Sequence, residues 1–170
     1  HLALAAQNQP CETAILPAKE GAFPARSFAE LEKDVNACAR LFYERGLKPK
    51  DKALVMVRPG YELILSVFAL FMLGACPVVI DPGMGLRNFL RCVKSVKPDA
   101  LIGIPLAKFL AILFRSAFAG VNKKIVVRGK HFLRKLSDYQ SSKPFPAAEV
   151  KGDDLAAILF TSGSTGPPKG

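Results

Sequence analysis

Apolar positions in this chain fall into two kinds of block, and the two kinds alternate. Phe28, Leu31, Val35, Cys38, Leu41 and Phe42 recur at helical spacing behind Ser27-x-x-Glu30, a capping box, and Gly46 stands where a C′ glycine would end the helix. Leu86, Phe89, Leu90, Val93 and Val96 repeat that spacing opposite Arg87, Arg91 and Lys94. Pro105 suits the first position of a further helix carrying Leu106, Phe109, Leu110 and Leu113. Between these lie short unbroken apolar runs, Ala53–Val57, Val78–Ile80, Ala100–Ile104, Ile125–Val127 and Leu155–Phe160, which read as strands covered on both faces. Thr13–Leu16 reads as a short edge strand, and the polar, proline-containing stretch Ser137–Gly152 as a connector.

One block needs arbitration. Leu63 to Ile80 holds no charged residue, which raises the possibility of a membrane span of about 20 residues. Gly74 and Pro77 divide it into a helix, Leu63–Leu73, and a strand, each too short to cross a bilayer. Strand and helix then alternate until the connector and a last strand. The expected fold is α/β, a mainly parallel sheet flanked by helices, with ligands beyond the carboxyl ends of the strands.

The last strand runs into Thr161-Ser-Gly-Ser-Thr-Gly-Pro-Pro-Lys-Gly170. Glycines let a backbone approach a ligand closely, hydroxyls add donors, and Lys169 adds a point charge, a set suited to cradling a polyphosphate. It is not a Walker loop. Counted from Gly163, Pro168 replaces the second glycine and Gly170 replaces the Ser/Thr after the lysine; the dinucleotide pattern fails for want of a third glycine in place.

The string resembles, at every position, the phosphate-binding loop [ST]-S-G-[ST]-T-G-x-P-K-G of adenylate-forming (AMP-binding) enzymes. Upstream, Leu54-Val-Met-Val-Arg-Pro-Gly-Tyr-Glu62 and Phe71-Met-Leu-Gly-Ala-Cys-Pro-Val-Val-Ile-Asp-Pro82 are similar in order and spacing to that family, so the resemblance covers about residues 27 to 170. Ile80–Gly85 and Ile102–Lys108 look most like the bacterial fatty acid–CoA ligase branch, which includes the β-lactone synthetases of olefin biosynthesis. The resemblance implies that a carboxylate, fatty or β-hydroxy fatty, attacks the α-phosphate of Mg·ATP, and that the acyl-adenylate then passes to coenzyme A or closes to a β-lactone. It implies that Thr161, Ser162, Gly163, Ser164, Thr165, Gly166 and Lys169 bind the β- and γ-phosphates. The adenine-binding segment, the Mg²⁺ acid, the ribose aspartate and the C-terminal-domain lysine are implied to lie beyond Gly170, so no catalytic residue and no protein metal ligand is assigned within the chain. The competing readings are an NTPase or kinase with a different phosphate loop, and a binding module without chemistry.

Composition adjusts this picture in three places. The chain begins with His1 and ends inside its most informative motif, so it reads as a partial N-terminal adenylation domain, 1–170, with the rest of the polypeptide as its missing partner. The formal charge is +10, and no acid occurs between Asp99 and Asp138. Nucleic acid would use such an excess, but the segment lacks interleaved exposed aromatics, and a solvated face or one meeting acidic partners fits better. Cys11, Cys38, Cys76 and Cys92 are widely spaced without a C-x-x-C, so they read as reduced structural thiols in a cytoplasmic protein. His131, in the basic stretch, has no nucleophile pattern around it and reads as structural or surface.

Overall fold

The computed structural model describes residues 2–17 and 23–161. In chain order the elements are α1 (Leu2–Asn8), β1 (Thr13–Ile15), β2 (Arg26–Ser27), α2 (Phe28–Glu44), β3 (Lys52–Met56), α3 (Tyr61–Met72), β4 (Cys76–Ile80), α4 (Leu86–Val96), β5 (Ala100–Gly103), α5 (Pro105–Leu113), β6 (Lys123–Val126), α6 (Gly129–Leu136) and β7 (Ile158–Phe160), with 3₁₀ turns at Pro82–Met84 and Ser137–Tyr139. Five strands form one parallel sheet in the order β6-β5-β3-β4-β7. The mainly parallel α/β expectation therefore holds. The first strand is the exception: β1 pairs antiparallel with β2 in a separate ribbon and takes no place in the main sheet.

Side chains alternate along the sheet strands between two cores, as a pleat requires. Ala53, Val55, Ala100, Ile102 and Ile125 face a layer containing α2, α3 and α6. Leu54, Leu101, Val78 and Ile80 face a layer containing α4 and α5. The charge-free run becomes the last ten residues of the 12-residue helix α3 and a buried strand, and among the described residues no helix is long and apolar enough to cross a membrane.

α2 forms where the sequence places it. The Ser27 side chain accepts from the Glu30 backbone N–H at 3.3 Å, while Glu30 Oε2 accepts from the Ser27 N–H at 2.9 Å. Gly46 follows at φ +87°, in the left-handed region that a residue with a Cβ avoids. Strand and helix ends elsewhere shift by one to three residues from the sequence reading: α3 begins at Tyr61, β4 at Cys76 and β7 only at Ile158.

α5 departs from its sequence pattern. Its apolar row would ordinarily face the sheet, yet Leu106, Phe109 and Leu113 are 59%, 59% and 60% exposed, while Ala107 and Ala111 are buried. Close approach is the reason. A Cβ added to Gly103 would stand 2.7 Å from Ala107 Cβ and 3.1 Å from Met56 Cβ, so helix and strand touch with only small residues between them. A leucine row has no room there.

Helices α1 and α6 are absent from the sequence reading. In α6, Phe132 and Leu136 are buried four residues apart, a short repeat masked by the surrounding lysines and arginines. The connector is also anchored. Arg40 donates to the carbonyls of Tyr139 (3.2 Å) and Lys143 (2.9 Å), Asn36 Oδ1 accepts from Phe145 N–H at 2.6 Å, and Ala148 N–H donates to Met72 O at 2.8 Å. Arg40→Ala strands both carbonyls and is expected to destabilise the chain by about 2 kcal/mol in urea unfolding, with amide exchange fastest over residues 139–148.

Candidate functional site

All five strands of the main sheet point the same way, so their carboxyl ends share one edge. Thr161 lies on that edge, exposed, directly after β7. Phe160 just before it is buried, and its carbonyl accepts from the Asp81 N–H at 3.1 Å, tying the ends of β4 and β7 together. The Asp81 side chain accepts from Gly83 N–H at 2.8 Å and shapes the turn out of β4. Ser162, Gly163, Ser164, Thr165, Gly166 and Lys169 lie outside the described residues. Of the sequence-assigned phosphate ligands, the structure thus places Thr161, at the carboxyl edge.

The same edge carries a cleft that the sequence reading does not name. The chain leaves β3 toward β4 but leaves β5 toward β6, so the connections diverge between β3 and β5, the position at which a doubly wound sheet opens a crevice. A cleft of about 500 Å³ lies there, with Arg58 and Arg128 on its walls and Glu62 among its lining residues. The Glu62 carboxylate sits between two glycines: a Cβ at Gly60 would be 3.5 Å from one oxygen and a Cβ at Gly129 3.8 Å from the other. Two guanidinium groups and one carboxylate equip the cleft for an anion that also offers a hydrogen-bond donor. Its sequence signal was topological rather than local, since its lining comes from the segments that follow β3, β5 and β6.

A larger cleft, about 620 Å³, is at the opposite, amino edge, lined by Lys50, Lys52, Phe71, Cys76 and Asp154 among others. Two of its lysines are already engaged. Lys50 pairs with Asp154 at 3.1 Å and Lys52 Nζ donates to Val96 O at 2.8 Å. Size alone is therefore a poor guide here; the carboxyl edge is where the loops that follow the strands gather.

The strongly shifted titratable groups belong to packing. Cys38 is fully buried, and burial, with the Asp34 charge adding to it, pushes its thiol well up. Tyr61 is pushed up by burial and by its 2.8 Å hydrogen bond to Asp34 Oδ2; its ring stacks on Phe23 and lies beneath the Arg26 guanidinium. Both groups hold their protons in the fold above the pH at which they would ionise unfolded. Their stabilisation is therefore complete below the ordinary thiol value and declines as pH rises past it. As pH rises from about 8.5 toward 10 the Cys38 contribution is expected to fall. Urea midpoints across that range test this, and Cys38→Ala should flatten the slope.

All four cysteines are free, with Cys38, Cys76 and Cys92 buried and Cys11 exposed. His131 is exposed on α6, and its Nδ1 lies 3.3 Å from Arg134 Nη2. Among the described residues no group of three or more His, Cys, Asp or Glu is gathered as a metal site.

A parallel sheet wound on both faces, with its loops gathered at the carboxyl edge, defines an α/β ligand-binding domain of the doubly wound class. More specifically, the chain belongs to the AMP-binding enzyme family, whose model matches residues 2–170. It is 40% identical over 149 residues to an olefin beta-lactone synthetase of Xanthomonas campestris pv. campestris, covering 85% of this chain and 27% of that protein. To an olefin beta-lactone synthetase of Stenotrophomonas maltophilia it is 39% identical over 147 residues, covering 84% of this chain and 27% of that protein. The chain thus spans about a quarter of the length of these curated relatives. In fold it is similar to a long-chain-fatty-acid-CoA ligase from Archaeoglobus fulgidus (TM-score 0.77, 21% identity, 95% of this chain and 33% of that one). It is also similar to the N-terminal domain of FACL13 from Mycobacterium tuberculosis (TM-score 0.80, 20% identity, 99% and 42%).

Proposed function

We propose that the complete protein activates a carboxylic acid, fatty or β-hydroxy fatty, at the expense of ATP, and that residues 1–170 form part of its adenylation domain. A carboxylate oxygen bonds to the α-phosphorus of Mg·ATP, the bond from that phosphorus to the β-phosphate bridge breaks, and pyrophosphate leaves. A second nucleophile then attacks the acyl carbon and AMP departs. If the nucleophile is the substrate's own β-hydroxyl, its proton is released and a β-lactone closes; if it is the thiol of coenzyme A, a thioester forms. The names of the two bacterial relatives favour lactone closure.

The observation that carries this reading is the ten-residue string Thr161–Gly170 in a chain belonging to the AMP-binding enzyme family. Thr161, Ser162, Gly163, Ser164, Thr165, Gly166 and Lys169 hold the β- and γ-phosphates, so that the leaving pyrophosphate is neutralised in place. The position of Thr161 at the carboxyl edge supports the assignment.

The test is exchange of labelled pyrophosphate into ATP by the complete protein, driven by long-chain fatty or β-hydroxy acids. Exchange that depends on the acid supports the reading, and folded protein silent across a broad panel of acids overturns it. Product analysis separates the branches: lactone without coenzyme A, or thioester with it.

A further inference from the structure

The outer surface of α4 and α5 combines exposed apolar side chains with charge of one sign. α4 turns Phe89, Cys92, Val93 and Val96 to the sheet, and α5 turns Ala107 and Ala111 to the same side. Outward from α5, Leu106, Phe109, Ile112 and Leu113 are 54–60% exposed, spaced so that they form one ridge along the helix. Four large apolar side chains together in water are an exposed patch of the kind that marks an interaction surface.

The charge around the ridge is of one sign. Arg87, Arg91 and Lys94 are exposed on α4, and Lys108 and Arg115 are exposed on and just after α5. Between Asp81 and Asp138 the only acid is Asp99. Its carboxylate is turned to the amino edge of the sheet, where Oδ2 accepts from the Lys52 N–H at 2.9 Å. No carboxylate on either helix balances the cations.

We propose that this face docks on an anionic lipid surface, the α5 ridge entering the headgroup boundary while the α4 and α5 cations meet lipid phosphates. An apolar ridge bordered by cations alone is the pattern of interfacial helices on negatively charged membranes. A lipid surface is favoured over a protein partner because a continuous layer of phosphates matches five exposed cations with no carboxylate on either helix. Docking also accounts for the leucines that Gly103 and Ala107 exclude from the core. It concerns where the protein sits and does not rest on the reaction proposed above.

The experiment is cosedimentation of the complete protein with vesicles of phosphatidylcholine alone or mixed with phosphatidylglycerol. Partition is expected to be at least roughly tenfold stronger to the anionic vesicles and to weaken as salt rises. Arg87→Glu with Arg91→Glu should lower it by roughly tenfold or more, and Phe109→Ser with Leu113→Ser should remove it at low salt as well. All four positions are exposed, so melting curves should match the parent and show that the fold is kept. Equal partition to both vesicle types, or none, overturns the proposal. So does a concentration-dependent dimer that Phe109→Ser dissociates, which would assign the ridge to a second copy. A third measurement covers the protein's own segments: with exposed Cys11 changed to serine, Phe109→Cys should react readily with a thiol reagent in the absence of vesicles. Shielding of that thiol would mean the ridge is already covered, and the lipid proposal fails.

Discussion

Lys169→Ala in the complete protein is expected to lower carboxylate-dependent adenylation on the order of 10²-fold, with little change in folding. On the function proposed above, the charge of Lys169 would neutralise pyrophosphate as it leaves, but it would share that task. Ser162, Ser164, Thr165 and Thr161 supply hydroxyl donors in the same string, and the glycines let backbone N–H groups approach. Removing one member of such a set costs a few kcal/mol of transition-state stabilisation rather than all of it. Lys169→Arg should recover part of the loss, since it restores charge without the compact ammonium. The measurement is the rate of pyrophosphate exchange for wild type, both variants and a chain with the loop replaced by a neutral linker. A Lys169→Ala loss as deep as loop replacement would give the lysine a more direct part than neutralisation.

Gly103→Val is expected to destabilise the chain by about 3 kcal/mol, the upper end of ordinary overpacking. The first added carbon already lies 2.7 Å from Ala107 Cβ and 3.1 Å from both the Cβ and the carbonyl oxygen of Met56, and valine adds two methyl groups beyond it. Neither obstacle is the end of a flexible side chain. The strand therefore shifts, or α5 lifts away from the sheet. Urea unfolding measures the loss, and Gly152→Ala is the control: a Cβ there meets nothing within 4 Å, so stability should stay within about 0.5 kcal/mol of the parent. If Gly103→Val proved neutral, α5 would not be held as closely as the Gly103–Ala107 contact implies.

Some parts of the fold were legible because their causes are local. The capping box at Ser27 and Glu30 and the left-handed glycine at 46 act within a few residues, so α2 could be read with both its ends. Unbroken apolar runs marked β3, β4 and β5 because strands covered by helices on both sides must be apolar at every position. Chain order then implied a parallel sheet, and a parallel sheet implied a ligand edge at its carboxyl ends. The string Thr161–Gly170 was the clearest chemical signal for the same reason: its glycines, hydroxyls and lysine are contiguous.

Other features depended on atoms far apart in sequence. The cleft joins Arg58, Glu62 and Arg128 only because β3, β5 and β6 end side by side. The connector is ordered by Arg40 and Asn36, about a hundred residues away, and no local periodicity encodes those bonds. α5 shows the difference most directly. By itself the sequence determined that Pro105–Leu113 would be a helix and which residues would form its apolar row. Which side faces the sheet was settled by the space between Gly103, Met56 and Ala107, which admits alanine and excludes leucine; close packing in three dimensions decided what spacing along the chain could not.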